Sequence, residues 1–294
     1  MKKWKAELLL AVVTLIWGGT FLFTKQGIND CPPSLYIMLR FIIALTVSTI
    51  FFYKRFLSID KQTIIQGLVL GLIFGGGFVL QTYGLKYTAV SKSAFITGLT
   101  VPLTPFAYWF IQKKVIGTWP KVAVVVASFG MWLCTGTSIE SVNIGDILTV
   151  LSTLFWAFYI TYIDKFTNGK SSFSHTSQLV IMQFVGALPV AALSFIFLEY
   201  ENLSINLSTS LLVSLSYNSF LASFLVTFIH VFAQRYTTPV KAALIFSLEP
   251  VFASTFAYLV INETLTLREM SGAAVLLSAV LVSELGKMIQ KYKK

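Results

Sequence analysis

Five ionisable side chains interrupt or end long apolar stretches of this sequence: Lys25, Arg40, Asp164, His230 and Glu249. An ionisable group within a membrane-spanning segment is costly unless it is paired or hydrated, so each of these residues is a candidate for binding, coupling or gating. A catalytic site would instead need a nucleophile next to a base, or a cluster of metal ligands. The sequence contains no such pattern, and we therefore predict neither an enzyme nor a bound metal or cofactor.

Glu249 lies near the middle of the ninth apolar stretch and precedes Pro250. Proline removes a backbone donor, which can kink a helix and leave a carbonyl group free. Because desolvation disfavours a charged carboxylate, Glu249 without a cationic partner could bind a proton and couple its movement to that of another solute. The alternative is that Glu249 braces the kink through a neighbouring hydroxyl group, and both interpretations remain open.

Arg40 and His230 each have two interpretations as well. Arg40 lies about two helical turns from the predicted outer end of the second stretch. Its guanidinium group could hold a substrate carboxylate through two parallel hydrogen bonds, or it could tie helix ends together. His230 could serve in coupling or gating, or it could be a hydrogen-bonded packing residue.

Two tryptophans lie at mid-span, away from the membrane interfaces where tryptophan usually concentrates. They could pack in the core of a helix bundle. Their matching positions favour a second interpretation, in which they line an amphipathic cavity that offers flat apolar faces and a few polar groups. The predicted substrate-binding residues of this cavity are Trp17, Thr20, Arg40, Tyr83, Trp156 and Tyr159.

The composition identifies the elements that position these residues. The chain is 56% hydrophobic and 12% charged, whereas about a quarter of the residues of a soluble domain are charged. A spanning helix needs roughly 20 apolar residues, and uninterrupted apolar runs do not fit the alternating strands of a barrel. We therefore predict an all-α polytopic membrane protein. Its ten spans are residues 7–28, 34–53, 63–86, 90–112, 119–136, 146–165, 174–198, 209–234, 240–261 and 268–290.

Seventeen of the 22 Lys and Arg residues lie between alternate pairs of spans, on the same side as both termini. Basic loops resist translocation, so this bias predicts that both termini, together with Lys113 and Lys294, are cytoplasmic. Ser141 and Asn202 would then face outward. The net charge of +10 reflects this topology, and the basic residues are too dispersed to predict a nucleic-acid partner. Cys31 and Cys134 both map near outer helix ends, where a disulfide and two free thiols remain alternatives.

The two halves of the chain repeat. Residues 87–94 match residues 236–243, and residues 15–17 align with 154–156. The same alignment pairs Lys25 with Asp164 near opposite membrane faces, as interface anchors or as members of gating ion pairs. Each half contains five spans, an odd number, so residues 141–294 would be inserted upside down relative to residues 1–140. Inverted repeats are typical of secondary transporters, whose binding site lies near the midplane.

Short motifs recur in a fixed order along the chain: Trp17-Gly18-Gly19-Thr20, Leu39-Arg40-Phe41, Tyr87-Thr88, Gln234-Arg235-Tyr236-Thr237, Ser247-Leu248-Glu249-Pro250 and Glu263-Thr264-Leu265-Thr266. In their order and spacing, the motifs resemble those of the drug/metabolite transporter superfamily, and specifically its ten-helix EamA-type members. The resemblance covers essentially the whole chain and implies export of amino acids or other small metabolites. One departure is Lys114, which matches Glu263 and stands where the family often has an acidic residue.

The resulting hypothesis is a secondary transporter in a lipid bilayer, the inner membrane of a bacterial-type cell. It would export amino acids or related small molecules by alternating access, with protons as the candidate coupling ion. The alternative in the same superfamily is a nucleotide-sugar or phosphorylated-sugar exchanger. Such an anionic substrate needs several deep basic groups, and the sequence offers only Lys25, Arg40 and Lys92. A membrane-embedded enzyme would lack its catalytic residues, and a monomer and a homodimer both remain open.

Overall fold

The protein is described by a computed structural model that covers residues 1–135, 142–168, 172–262, 264 and 266–292. Every regular secondary-structure element within these residues is a helix. The first half of the chain forms α1 (Lys3–Asp30), α2 (Pro33–Phe51), α3 (Tyr53–Phe56), α4 (Lys61–Tyr87), α5 (Val90–Thr97), α6 (Thr100–Gln112) and α7 (Thr118–Thr135).

Within the described residues, the second half of the chain forms a further set of α-helices and two short helical segments of other types. A 3₁₀ turn spans Tyr200–Asn202, and a π-helix, Tyr217–Leu225, joins α10 to α11. The helices are α8 (Ile144–Thr167), α9 (Phe173–Leu198), α10 (Thr209–Ser216), α11 (Val226–Gln234), α12 (Pro239–Phe246), α13 (Glu249–Ile261) and α14 (Leu267–Tyr292).

Side-chain caps and prolines fix where several helices begin. The Thr63 hydroxyl group donates to Asp60 Oδ2 at 2.6 Å and the Thr63 backbone N–H donates to Oδ1 at 3.0 Å, and these hydrogen bonds hold the pKa of the Asp60 carboxyl below its usual range. Asn143 and Asp146 form a reciprocal capping box at the start of α8. Pro239 occupies the first turn of α12, where its missing N–H costs no helical hydrogen bond.

Eight helical segments of the described residues are long and apolar enough to cross a membrane. Two shorter apolar helices, Thr118–Leu133 and Met270–Val282, lie within α7 and α14. Large apolar side chains cover the outside of the bundle, such as Phe197, which is 79% exposed. The chain is therefore a multi-pass membrane protein, while the full count of ten spans stays a prediction at α7 and α14.

Two of the predicted spans, residues 90–112 and 240–261, are interrupted near their middle. Gly98 and Leu99 separate α5 from α6, and Ser247 and Leu248 separate α12 from α13. At both places the backbone tightens into a 3₁₀-like turn, in which Leu99 N donates to Ile96 O at 2.9 Å. Prolines follow each interruption, and a proline cannot supply the helical hydrogen bond that would continue the preceding turn.

The helices pack closely where glycines remove side chains. α4 packs along both α8 and α9, α1 packs against α13, and α7 packs against α14. Gly71 in α4 faces α9 so closely that an added Cβ atom would overlap the carbonyl oxygen of Gln183. The small-residue stripe in α4 therefore lets two backbones approach, as is common between membrane helices.

The two predicted cysteine alternatives are only partly described. Cys31 lies between α1 and α2 and is 3% exposed. Burial raises the pKa of its thiol to about 12, so it stays protonated and is a poor nucleophile. The side chain of Cys134 lies outside the described part of the chain, as do the predicted topology markers Ser141 and Lys294.

Candidate functional site

A cavity lies where α1, α4, α8 and α11 meet the interruptions of the two broken helices. Its volume is about 590 Å³ when the space at its open mouth is counted. The predicted site residues that line it are Trp17, Thr20, Trp156, Tyr159, His230 and Glu249. Sequence reasoning did not select the other lining residues, among them Phe78, Gln81, Thr97, Thr100, Phe246 and Ser247.

Three rings form one wall of the cavity. Trp17, His230 and Phe246 meet edge to face, with ring centroids 4.9 to 5.2 Å apart. The indole Nε1 of Trp17 donates to the carbonyl oxygen of Ala222, in the π-helix, at 3.2 Å. Trp17 is therefore held in one orientation and presents its ring as a fixed apolar surface.

The opposite tryptophan is held mainly by ring contacts. Trp156 packs edge to face against Phe78, with centroids 5.0 Å apart. A Cβ atom on Gly77 would lie 3.2 Å from the Trp156 ring, so the glycine allows a close approach. The Trp156 indole nitrogen is buried and has no hydrogen-bond partner within the described ranges.

Tyr159 and His230 use part of their polar capacity within the protein. The hydroxyl group of Tyr159 donates to Gln183 Oε1 at 3.0 Å. His230 Nε2 lies 2.6 Å from Gln234 Oε1, while the amide nitrogen of Gln234 donates to a backbone carbonyl. Since Gln234 Oε1 can only accept, Nε2 of His230 carries the hydrogen, and Nδ1, which has no partner among the described residues, is left as an acceptor.

Glu249 is the first residue of α13, directly after the interruption, and is half-buried at the cavity wall. Its carboxylate forms no hydrogen bond or ion pair with any described residue. The nearby hydroxyl group of Ser247 donates to Leu244 O at 2.7 Å, so it does not brace Glu249. Glu249 therefore lies at a helix start beside the cavity, and the hydroxyl brace considered from the sequence is not formed.

Arg40 lines a smaller recess next to the cavity. The two spaces share Thr20, Phe78 and Gln81. Arg40 is 1% exposed, its Nε donates to Ser223 Oγ at 2.7 Å, and its guanidinium group stacks 4.4 Å from the centre of the Phe78 ring. We name this space, lined in part by Thr20, Thr24, Arg40 and Thr82, the arginine recess.

Besides Arg40, three predicted residues do not line the cavity. Tyr83 faces away from it and donates to Glu199 Oε1 at 2.5 Å, because two positions along a helix turn a side chain to the other face from Gln81. Lys25 Nζ donates to Leu85 O at 2.6 Å, at the end of α4. Asp164 accepts a hydrogen bond from Gln112 Nε2 at 2.7 Å.

Two ion pairs that sequence reasoning missed connect the halves of the chain. Lys92, in the first turn of α5, lies 2.7 Å from Asp146 in the first turn of α8. Lys241, in the first turn of α12, pairs with Glu7 near the start of α1. The repeat alignment pairs Lys92 with Lys241, but their carboxylate partners become evident only when the helices are packed.

Comparison with known proteins identifies the family. The model of the EamA-like transporter family matches residues 4–136 and again residues 143–284. The chain belongs to the EamA-like transporter family. This membership confirms the resemblance to the drug/metabolite transporter superfamily, and it makes the protein a transporter.

Similar proteins and folds extend over nearly the whole chain. An uncharacterized transporter of Archaeoglobus fulgidus is 31% identical over 285 residues, which cover 97% of this chain and 87% of that protein. The uncharacterized transporter YoaV of Bacillus subtilis is 25% identical over 291 residues, covering 95% and 96%. A protein of known crystal structure has the same fold, with a TM-score of 0.74 over 97% of this chain and 98% of that chain, at 15% identity.

Proposed function

We propose that the protein is a secondary transporter that exports amino acids or related small metabolites by alternating access. The observation that carries the proposal is the cavity at the interruptions of both broken helices. It brings together the aromatic rings of Trp17 and Trp156, the carboxylate of Glu249 and, through the adjoining recess, Arg40. Flat apolar faces with a few polar groups suit a small amphipathic substrate.

We also propose that residues 1–140 and 141–294 are inverted repeats of five spans each. Matched elements support this: residues 90 and 239, 100 and 249, and 113 and 262 are each 149 positions apart and occupy equivalent places. α5 and α12 have eight residues each, and α6 and α13 have thirteen each. Both longer helices end at a residue with φ of 55°, Lys113 and Asn262. In addition, α1 packs on α13 as α8 packs on α6.

The inverted arrangement goes with a proposed topology in the cell membrane. Both termini and Lys113 would face the cytoplasm, because the basic loops lie on that side. Labelling of single cysteines in a Cys31/Cys134-free background tests this placement. A cysteine at position 202 that reacts only after permeabilisation would contradict it.

The substrate class follows from the number of cations at the cavity. A nucleotide sugar carries several negative charges and would need several basic groups around it. Of the three basic residues considered from the sequence, only Arg40 lines this region. Lys25 donates to backbone carbonyls and Lys92 pairs with Asp146. A zwitterionic or neutral substrate is therefore favoured over the anionic substrate of an exchanger.

Glu249, with His230 on the facing wall, is the proposed site of proton coupling. The experiment that tests the function is uptake into proteoliposomes across a panel of amino acids, with and without a pH gradient. We expect saturable uptake of a subset of the panel, stimulated by the gradient. Absence of uptake and of exchange for every amino acid tested would overturn the proposed substrate class.

A further inference from the structure

Arg40 carries a buried positive charge that no carboxylate of the described residues balances. Its side chain is 1% exposed, and its Nη2 atom has no hydrogen-bond partner among the residues that the structure describes. The two ion pairs among the described residues are Lys92–Asp146 and Lys241–Glu7, and neither includes Arg40. A guanidinium group does not lose its proton in proteins, so this charge persists in the membrane interior.

The free-energy cost of burying an unpaired guanidinium group in a membrane indicates what kind of ligand it binds. Charged side chains within membrane-spanning segments pair with one another, with backbone carbonyls or with a substrate. The Phe78 ring and the Ser223 hydroxyl group bind two parts of the guanidinium group, but they supply no negative charge. The recess therefore lacks one anionic partner for Arg40.

A second donor lies in the same recess. Thr24 Oγ1 accepts a hydrogen bond from Asn218 Nδ2 at 3.2 Å, and the hydroxyl hydrogen of Thr24 can turn either to the neighbouring Tyr36 hydroxyl group or into the recess. Arg40 and Thr24 both line the recess. One guanidinium group and one hydroxyl donor match the charge and the two oxygens of a single carboxylate, whereas a phosphate dianion would keep an unbalanced charge.

We propose that the arginine recess binds the carboxylate of the transported molecule while its apolar body lies in the cavity between Trp17 and Trp156. This inference rests on the proposed function and restricts its substrate class to monocarboxylates, including amino acids with a large apolar side chain. The shared lining residues Thr20, Phe78 and Gln81 are the point at which the two parts of the ligand meet.

The test compares each amino acid of the transported subset with its carboxamide, which keeps the shape and removes the charge. Binding is measured by competition with a radiolabelled amino acid on the purified protein. We expect the parent to prefer the acid by roughly tenfold to a hundredfold, the scale of a hydrogen bond to a charged group. Arg40→Gln should abolish that preference while it still binds the amide, and Arg40→Lys should retain part of it.

Arg235→Gln is the matched control, since Arg235 also stacks on an aromatic ring, 4.1 Å from the centre of Phe232, but does not line the cavity. It should leave the preference unchanged. An acid-to-amide ratio in Arg40→Gln equal to that of the parent would overturn the inference. If Arg40→Gln fails to fold, Arg40→Lys and Thr24→Val are measured in its place, and an unchanged ratio in both would overturn it. The proposed function would survive that result, because it fails only if the parent moves no amino acid.

The two ion pairs carry a second, independent inference. Each connects the first turn of a broken helix to the first helix of the other half of the chain. The broken helix then runs only eight residues, about 12 Å, to the interruption that lines the cavity. A displacement at either ion pair is therefore transmitted directly to the cavity wall.

We propose that Lys92–Asp146 and Lys241–Glu7 act as two latches, one for each end of the cavity. Given the proposed inverted topology, the first lies at the outer face and the second at the inner face. Opening of the cavity toward one face would separate the latch of that face and leave the other closed. The two latches thus favour closure of opposite ends.

Side-specific labelling of a cysteine at position 20, in a Cys31/Cys134-free background, tests this idea. Rates of modification by a membrane-impermeant thiol reagent are measured in right-side-out and inside-out vesicles. Lys92→Gln should raise the rate from outside severalfold, and Lys241→Gln should raise it from inside. Each variant is the matched control for the other.

The charge exchange Lys241→Glu with Glu7→Lys should restore the parent rate. Lys92→Arg should keep it, and this variant avoids Asp146, which also caps α8. Equal increases on both sides in both variants, or no change in either, would overturn the latches. A variant that fails to fold is recognised by its elution as an aggregate, and the conservative exchanges then decide the question.

Discussion

The two broken helices of the protein share a backbone design but differ in chemistry. α5–α6 and α12–α13 have the same lengths, the same tight turn and the same left-handed ending. At the first position after the interruption, however, one has Thr100 and the other Glu249. Thr100 Oγ1 donates to Thr97 O at 2.7 Å, whereas Glu249 has no partner among the described residues.

The facing helices differ in the same way. Gln81 donates to Thr97 Oγ1 at 3.0 Å, so these two polar groups of the first half hydrogen-bond to each other at the cavity. Its counterpart in the repeat, His230, has an Nδ1 atom with no partner in the described part of the chain. The comparison shows that the two broken helices contribute the same backbone shape to the cavity. The ionisable side chains that line it, Glu249 and His230, both come from the second half of the chain.

The largest expected effect comes from removing the charge that distinguishes the halves. Glu249→Gln keeps the shape of the protonated carboxyl group and removes titration, so pH-gradient-driven transport should fall to the level seen without a gradient, while substrate exchange persists. Thr100→Val, the matched change in the first half, should keep gradient-driven transport. Both are measured in proteoliposomes, and unchanged gradient dependence in Glu249→Gln would remove it from any coupling role.

A smaller effect is expected at the paired tryptophans, which the two halves contribute equally. Trp17→Ala and Trp156→Ala should each lower transport per folded protein by roughly tenfold, as expected for the loss of an aromatic contact worth about 1.4 kcal/mol. Trp→Phe at either position should preserve most of the activity. Normal transport by both alanine variants would mean that the aromatic cavity does not bind the substrate.

The smallest effect tests the shared helix endings. Lys113 and Asn262 both have φ of 55°, where a side chain is strained unless the residue is glycine or asparagine. Lys113→Gly should therefore raise the free energy of unfolding by about 0.5–1 kcal/mol, and Asn262→Gly should change it little. Thermal unfolding in detergent measures both, and equal gains at the two positions would contradict the strain argument.

The sequence predicts the apolar helices well, because a run of about 20 apolar residues has few alternatives to a spanning helix. It does not place the interruption at Ser247, although Pro250 indicated a kink nearby. The proline shows from the sequence alone that a backbone N–H donor is missing. Where the helix is interrupted as a result depends on how the helices pack around the cavity.

The candidate site was predictable where the repeat supplied a second constraint. Trp17 and Trp156 were selected because they match, and the structure places both at the cavity. Tyr83 was selected without regard to its helical phase and lies elsewhere. Phe78 and Thr100 are common residue types in a membrane helix, so nothing in their identity marks them as lining residues.

Because of the π-helix Tyr217–Leu225, the geometry of the site depends on the number of residues in this segment as well as on its side chains. Its Ala222 carbonyl orients Trp17, and its Ser223 hydroxyl group orients Arg40. A π-turn holds one more residue than an α-turn, and each residue of an α-helix turns the chain by about 100°. Deletion of a single residue here would straighten the segment into ordinary helix and rotate one of these two partners out of reach, without altering any residue that lines the cavity.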